Sequence, residues 1–193
     1  MKDTEKNLKE VIIETAWELF YEKGYKNTTV NDIIKRSGTS KGGFYYYFKA
    51  KDDLLNSLYL MFDREYEKFY NQMDKNQNSL VQLQQIGQYV NYFIEANVKY
   101  ELLAELYISQ LTRKTQDDFL SKDRYYIKMV SKIIQEGQEK GEIRDDIPVE
   151  ELTHHVLLLE RGVLTDWCIQ RGGFSLGYKG SESYNHYLEF MKK

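Results

Sequence analysis

Residues 42–48 read Gly-Gly-Phe-Tyr-Tyr-Tyr-Phe, three phenols in a row between two phenylalanines. On a helix neighbouring side chains point about 100° apart, so a single core cannot take all three. Phe44 and Phe48 are four apart and share a face, which makes them the anchors, packing against Ile33, Ile34 and the first helix. Lys41 and Tyr45 then share an outward face, with Tyr46 and Tyr47 on its flanks. Gly42 and Gly43 remove side chains where a helix begins, so backbone N–H groups there can approach a phosphate. Glycine costs a helix about 0.5–1 kcal/mol relative to alanine, and a ligand that demands close approach supplies a reason for that cost. Phenols and lysines hydrogen-bond phosphates, and ring faces meet thymine methyls or sugars in the major groove. The stretch reads as a DNA-facing surface; the alternative is a surface helix merely rich in tyrosine, in a chain that has 17 of them.

The charge distribution agrees with an anionic partner. The formal net charge is −3, but residues 1–51 carry ten Lys/Arg against seven Asp/Glu. Residues 33–51 hold Lys35, Arg36, Lys41, Lys49 and Lys51 and no acid. A small basic patch on an otherwise acidic chain points to a localised anion.

The elements that must position these residues are helical. A single proline, Pro148, in 193 residues argues for long helices and against a many-stranded fold. Leu8, Val11, Ile12, Ala16, Leu19 and Phe20 predict a first helix over about 5–23, stopped by Gly24. Thr29 predicts an N-cap with Asp32 three residues on, Gly38 a stop, and Ser40 a second cap for a helix over 41–48. Two short helices joined by a glycine-containing turn are a helix-turn-helix signal. A fourth helix starts near residue 51, with Asp52 and Asp53 in its first turn, and carries Leu54, Leu55, Leu58, Phe62, Tyr66 and Phe69 on one face. Further helices follow over about 80–100, 102–112 and 117–140, the last broken near Ser121. Another spans 149–171, and a glycine-rich flexible stretch precedes a final helix over 182–192. No run of about 18 apolar residues exists, so no membrane span is expected. The N-terminus lacks the apolar stretch of a signal peptide. The single Cys168 excludes an internal disulfide framework and fits a reducing, cytoplasmic setting.

The run TTVNDIIKRSGTSKGGFYYYFKAKDDLL resembles the DNA-binding segment of the TetR family of bacterial transcriptional regulators. The resemblance is close over about residues 8–58 and only architectural beyond. It implies an all-α chain with a helix-turn-helix domain over 1–50 and a helical ligand-binding and dimerisation domain over 51–193. It implies a homodimer on a palindromic operator, acting as a repressor that a small-molecule effector releases. Carried over by position, Thr29 caps the second helix and touches phosphate, Thr39, Ser40, Lys41 and Gly42 meet the groove, Tyr45, Tyr46 and Tyr47 occupy contact positions, and Lys51 touches phosphate. Tyr47 stands where the family often has histidine. Gly43 is smaller than the family's usual side chain there, which would loosen the third helix.

For the effector, the candidates are Phe62, Tyr66, Tyr89, Phe93, Tyr107, Gln110, Tyr126, Met129, Arg161 and Trp167, each aromatic being open to a plain core role. Arg161 is read as an anchor for an anionic ligand or as the partner of Glu160 or of a second subunit. His154 and His155 point in different directions on a helix and Cys168 lies too far along it, so no metal site and no cofactor is expected. The helix over 149–171 is apolar on more than one side, which with 182–192 predicts a four-helix dimer interface. No P-loop, dinucleotide fingerprint or catalytic triad spacing is present, so no enzyme is expected. A second reading keeps the fold and the DNA but replaces the small molecule with protein partners.

Overall fold

A computed structural model describes residues 7–112 and 121–193. Its helices are α1 (Leu8–Lys23), α2 (Val30–Ser37), α3 (Lys41–Tyr47), α4 (Asp52–Gln72), α5 (Ser79–Asn97), α6 (Tyr100–Thr112), α7 (Tyr125–Glu139), α8 (Val149–Ile169) and α9 (Leu176–Met191). The described residues form no strand; Ile143 and Lys192 make one isolated antiparallel bridge. No helix among them is long and apolar enough to cross a membrane. The start expected at residue 5 for the first helix and at 117 for the seventh lies outside the described residues; α7 itself begins at Tyr125.

The head is α1–α3. Thr29 Oγ1 accepts from the Asp32 N–H at 3.1 Å while Asp32 Oδ2 accepts from the Thr29 N–H at 2.8 Å, a reciprocal capping box. Gly38 ends α2 in the left-handed conformation, φ 67°, where an L side chain would be strained. Ser40 Oγ then accepts from the Gly43 N–H at 3.0 Å and starts α3. Phe44 and Phe48 are buried in the core with Ile12, Ala16 and Ile33, although Phe48 is the extended residue just past the helix rather than its last turn. Asp53 Oδ2 collects the Lys49 and Ala50 N–H groups at 2.7 and 3.1 Å, so the short link into α4 is pinned.

The body is α4–α9. α4 runs from the head into it and buries Leu54, Leu55, Leu58, Phe62 and Tyr66, packing on α5, α6 and α7. The expectation for α9 is corrected. It begins at Leu176, capped by Ser175, not at 182. Its glycines are contact points: a Cβ on Gly177 would stand 2.4 Å from the Tyr92 ring, and one on Gly180 2.8 Å from the Asn91 carboxamide. On the opposing helix, a Cβ on Gly87 would stand 2.7 Å from Tyr184. Small residues on both helices let α5 and α9 approach closely, and the sequence shows that only as glycine content.

Candidate nucleic-acid interface and interior cavity

On α3 the three phenols are all exposed, Tyr46 most at 80%, against 46% for Tyr45 and 39% for Tyr47. The outward face therefore centres on Tyr46, whose ring meets Tyr47 edge-on at 4.8 Å, while Tyr45 leans edge-on against Phe44 at 5.3 Å. The two glycines differ. A Cβ on Gly43 would stand 2.6 Å from Thr39 Oγ1, so its missing side chain is explained by packing inside the head. Its N–H is already given to Ser40, so it is closed to a phosphate. A Cβ on Gly42 would meet nothing nearer than Ser40 Oγ at 3.9 Å. Gly42 is thus the position whose openness no described neighbour requires.

Three expected contact residues turn inward. The Thr29 hydroxyl donates to Asp32 Oδ2 at 2.7 Å, and its N–H goes to the same atom. Hydrogen bonds from Lys23 and Thr29 hold the Asp32 carboxyl well below the usual range, so it stays ionised in that role. Thr39 Oγ1 is buried beneath α3 beside Gly43. Lys51 donates to the Tyr25 and Thr28 carbonyls at 2.7 and 2.8 Å and lies over the Tyr25 ring, so it clamps the α1–α2 link to α4. Burial lowers its pKa. Arg36 pairs with Glu22 at 2.5 Å. Of the five basic residues in the patch, Lys35, Lys41 and Lys49 are exposed and form no ion pair among the described residues.

Inside the body, Phe62, Tyr66, Tyr107, Tyr126 and Arg161 come together around a cavity of about 60 Å³, which Glu160 and Arg124 also line. The other effector candidates lie elsewhere. Tyr89 stacks on Phe69 at 4.1 Å, Phe93 meets Phe62 edge-on at 6.1 Å from the far side, and Met129 is core. Trp167 donates its indole N–H to the Phe174 carbonyl at 3.1 Å, and Gln110 does not line the cavity. Arg161 forms no ion pair with Glu160 or any other described residue, because adjacent helical residues diverge.

The sequence reading passed over the polar pair beside this cavity. Arg124 grips Asp63 with two bonds, 2.6 Å from Nη2 and 3.2 Å from Nε, and both side chains are nearly buried. Glu160 is buried and accepts from the Tyr126 hydroxyl. Burial pushes its pKa up to about 7, against the opposing pull of Tyr126, Arg161 and Arg124. A signal existed: Asp63 continues the Tyr59, Phe62, Tyr66 face and Glu160 the Val156, Leu164 face, so each is a carboxylate on a buried stripe. The metal candidates are not assembled: no group of three possible ligands occurs among the described residues. Burial raises the Cys168 thiol to about 11, which makes it a poor nucleophile.

Comparison with known proteins places this geometry. Residues 12–58 match the family described as bacterial regulatory proteins, tetR family. The uncharacterised HTH-type transcriptional regulator YuxN of Bacillus subtilis is 44% identical over 72 residues, 37% of this chain and 23% of YuxN. The regulator from the lacX 3′ region of Lactococcus lactis is 46% identical over 48 residues, 25% of this chain, so the chain spans about a quarter of the length of each of these two relatives. The HTH-type transcriptional regulator QacR of Staphylococcus aureus is 29% identical over 145 residues, 70% of this chain and 73% of QacR. Among solved structures, Thermus thermophilus FadR, a TetR-family transcriptional repressor in complex with lauroyl-CoA, superposes with a TM-score of 0.74 at 19% identity, covering 93% of this chain and 92% of its own. At that identity the likeness is one of fold. Residues 12–58 thus carry the DNA-binding head of the TetR family of bacterial transcriptional regulators, and the chain as a whole shares the all-helical fold of a solved TetR-family structure.

Proposed function

We propose that the protein binds double-stranded operator DNA as a homodimer through its paired α3 helices, represses transcription there, and is released by a small-molecule effector held in the helical body. The observation that carries this reading is the split on α3. Phe44 and Phe48 are buried, while Ser40, Lys41, Gly42, Tyr45, Tyr46 and Tyr47 all face outward. Lys41, the Ser40 hydroxyl and the phenols supply phosphate donors, Gly42 lets the backbone approach, and Tyr46 is the best-placed reader of base edges. Thr29, Thr39 and Lys51 serve as positioning residues that set the angle of α3.

The effector reading rests on the cavity among Tyr66, Tyr107, Tyr126, Glu160 and Arg161. At about 60 Å³ it is far smaller than small-molecule sites, so an effector has to part α4, α7 and α8 to enter. That supports coupling, since a ligand acts only by favouring one arrangement of α4, and with it the heads, over another. A palindromic operator follows from two-fold symmetry of the dimer. Binding to the DNA upstream of the protein's own coding sequence, followed by footprinting, tests the reading. Protection of an inverted repeat, lost in Tyr46→Ala at unchanged helicity, supports it; equal binding by wild type and variant rules out α3 as the reading face.

A further inference from the structure

We infer that Tyr21, Asn97 and Lys99 form a reciprocal cap between two helix ends that fixes the orientation of the head on the body, which makes Tyr21 and Lys99 positioning residues for DNA binding. The consequence for DNA rests on the operator reading; the cap itself does not.

The last carbonyls of a helix have no partner within it. At the end of α1 the Phe20 carbonyl accepts from the Gly24 N–H at 3.0 Å and the Lys23 carbonyl from the Asn27 carboxamide at 3.0 Å, both inside the head. The Tyr21 carbonyl is served from the body instead. Lys99 Nζ donates to it at 2.7 Å, and the lysine charge stands at the negative end of the α1 dipole. A second bond runs the other way. The Tyr21 hydroxyl donates to the carbonyl of Asn97, the last residue of α5. Each helix end thus takes a cap from the other part of the molecule, across 76 and 78 positions of sequence. The base of Lys99 is firmly held. Its own carbonyl accepts the Leu102 and Leu103 N–H groups at 3.0 and 3.2 Å and so starts α6, and both leucines are buried.

Placement gives the cap its role. Glu10 pairs with Arg64 at 3.1 Å, Trp17 Nε1 donates to Ser57 Oγ at 3.0 Å, and Lys51 grips the α1–α2 link. These ties all run to α4, and ties along one helix restrain a turn about that helix least. The cap reaches the α5–α6 link, off the α4 axis, and opposes that turn. The Lys26–Glu105 pair, at 3.0 Å, lies on the same side, but Lys26 is 81% exposed and solvent screens it. Lys99 is also exposed, so losing its bond costs the fold little while freeing an angle. Turning α1 carries α3 with it, because Ile12, Ala16 and Phe44 share one core.

The test reads the angle without DNA. Spin labels at Lys35→Cys in the head and Lys140→Cys in the body, in a Cys168→Ser background and diluted with unlabelled chain, report one head–body distance. The parent should give a narrow distribution. Lys99→Met keeps the stem and loses the donor, Tyr21→Phe loses the hydroxyl, and both should broaden it; Lys99→Arg should narrow it again. Melting temperatures should stay within about 2 °C of the parent, whereas a merely structural role would lower them. Affinity for DNA that the parent selects from a random pool should fall at least about fivefold in Lys99→Met and return in Lys99→Arg. A distribution as narrow in Lys99→Met and Tyr21→Phe as in the parent overturns the cap, and so does one that Lys99→Arg leaves broad. A broad distribution with parental DNA affinity overturns the positioning role. If the parent selects no DNA, the operator reading fails while the distances still decide the cap.

Discussion

At the scale of single residues, the division of labour between Gly42 and Gly43 separates stability from binding. Gly42 has open space where a Cβ would go, so alanine there gains about 0.5 kcal/mol of helix stability while placing a methyl between α3 and the DNA. Gly42→Ala is expected to melt slightly higher and to bind operator DNA more weakly, read by thermal unfolding and a DNA titration on the same preparation. Glu160 makes a second residue-level prediction. Its folded pKa, about 7, lies above the ordinary carboxylate value because burial penalises the charged form. The sign follows from linkage. The native state holds the proton more tightly, so stability is fully present below the unfolded pKa and is lost as pH rises towards 7, by roughly 3 kcal/mol at most. Glu160→Gln keeps an acceptor for Tyr126 and should flatten that decline, leaving the variant more stable than the parent at pH 8. Denaturant unfolding across pH 4.5–8 checks it, and parallel curves would contradict the assignment.

At the scale of elements, α5 and α9 form the body's tightest pair. Tyr184 is almost fully buried on α9, and Gly87 leaves room for its ring. Gly87→Ala should destabilise the chain by about 1–3 kcal/mol through overpacking, against a small gain in helix propensity. An unchanged denaturant midpoint would show that the helices separate at little cost. This pair also marks what the sequence made legible. Thr29, Gly38 and Ser40 act locally, within three or four residues, and their roles as caps and stops could be read directly. Gly177 and Gly180 act through Tyr92 and Asn91, about 85–90 positions away, so in the sequence the glycines read as flexibility and hide the first turns of α9. Lys51 misleads for the same reason. Its charge belongs to the basic run, but its partners are carbonyls of the α1–α2 link. The effector candidates divide similarly. Helical spacing identified aromatic stripes, but only packing decides that Tyr66, Tyr107 and Tyr126 meet at a cavity while Tyr89 and Trp167 do not.

At the scale of the whole molecule, the proposed homodimer has to hold two heads at one spacing. α8 exposes Leu158 and Ile169, with Gly162 between them bare of neighbours, and α9 exposes Tyr178 and Phe190. Leu159 and Val163, on the same helix, are partly buried and pack on the chain's own core. The dimer face proposed for α8 and α9 therefore runs through Leu158. Leu158→Glu is expected to sediment as a folded monomer and to lose high-affinity operator binding, because each half-site is then held by one head only. A dimer that survives this change would move the interface elsewhere.

In the proposed function the outward face of α3, not the basic run as a whole, meets DNA. Its most direct test is the salt dependence of operator binding for wild type, Lys41→Ala and Lys51→Ala. Each lysine that neutralises a phosphate contributes about one to the slope of log affinity against log salt, per half-site. A shallower slope is expected for Lys41→Ala and, once its lower stability is allowed for, the wild-type slope for Lys51→Ala. A slope unchanged in Lys41→Ala but reduced in Lys51→Ala would contradict it.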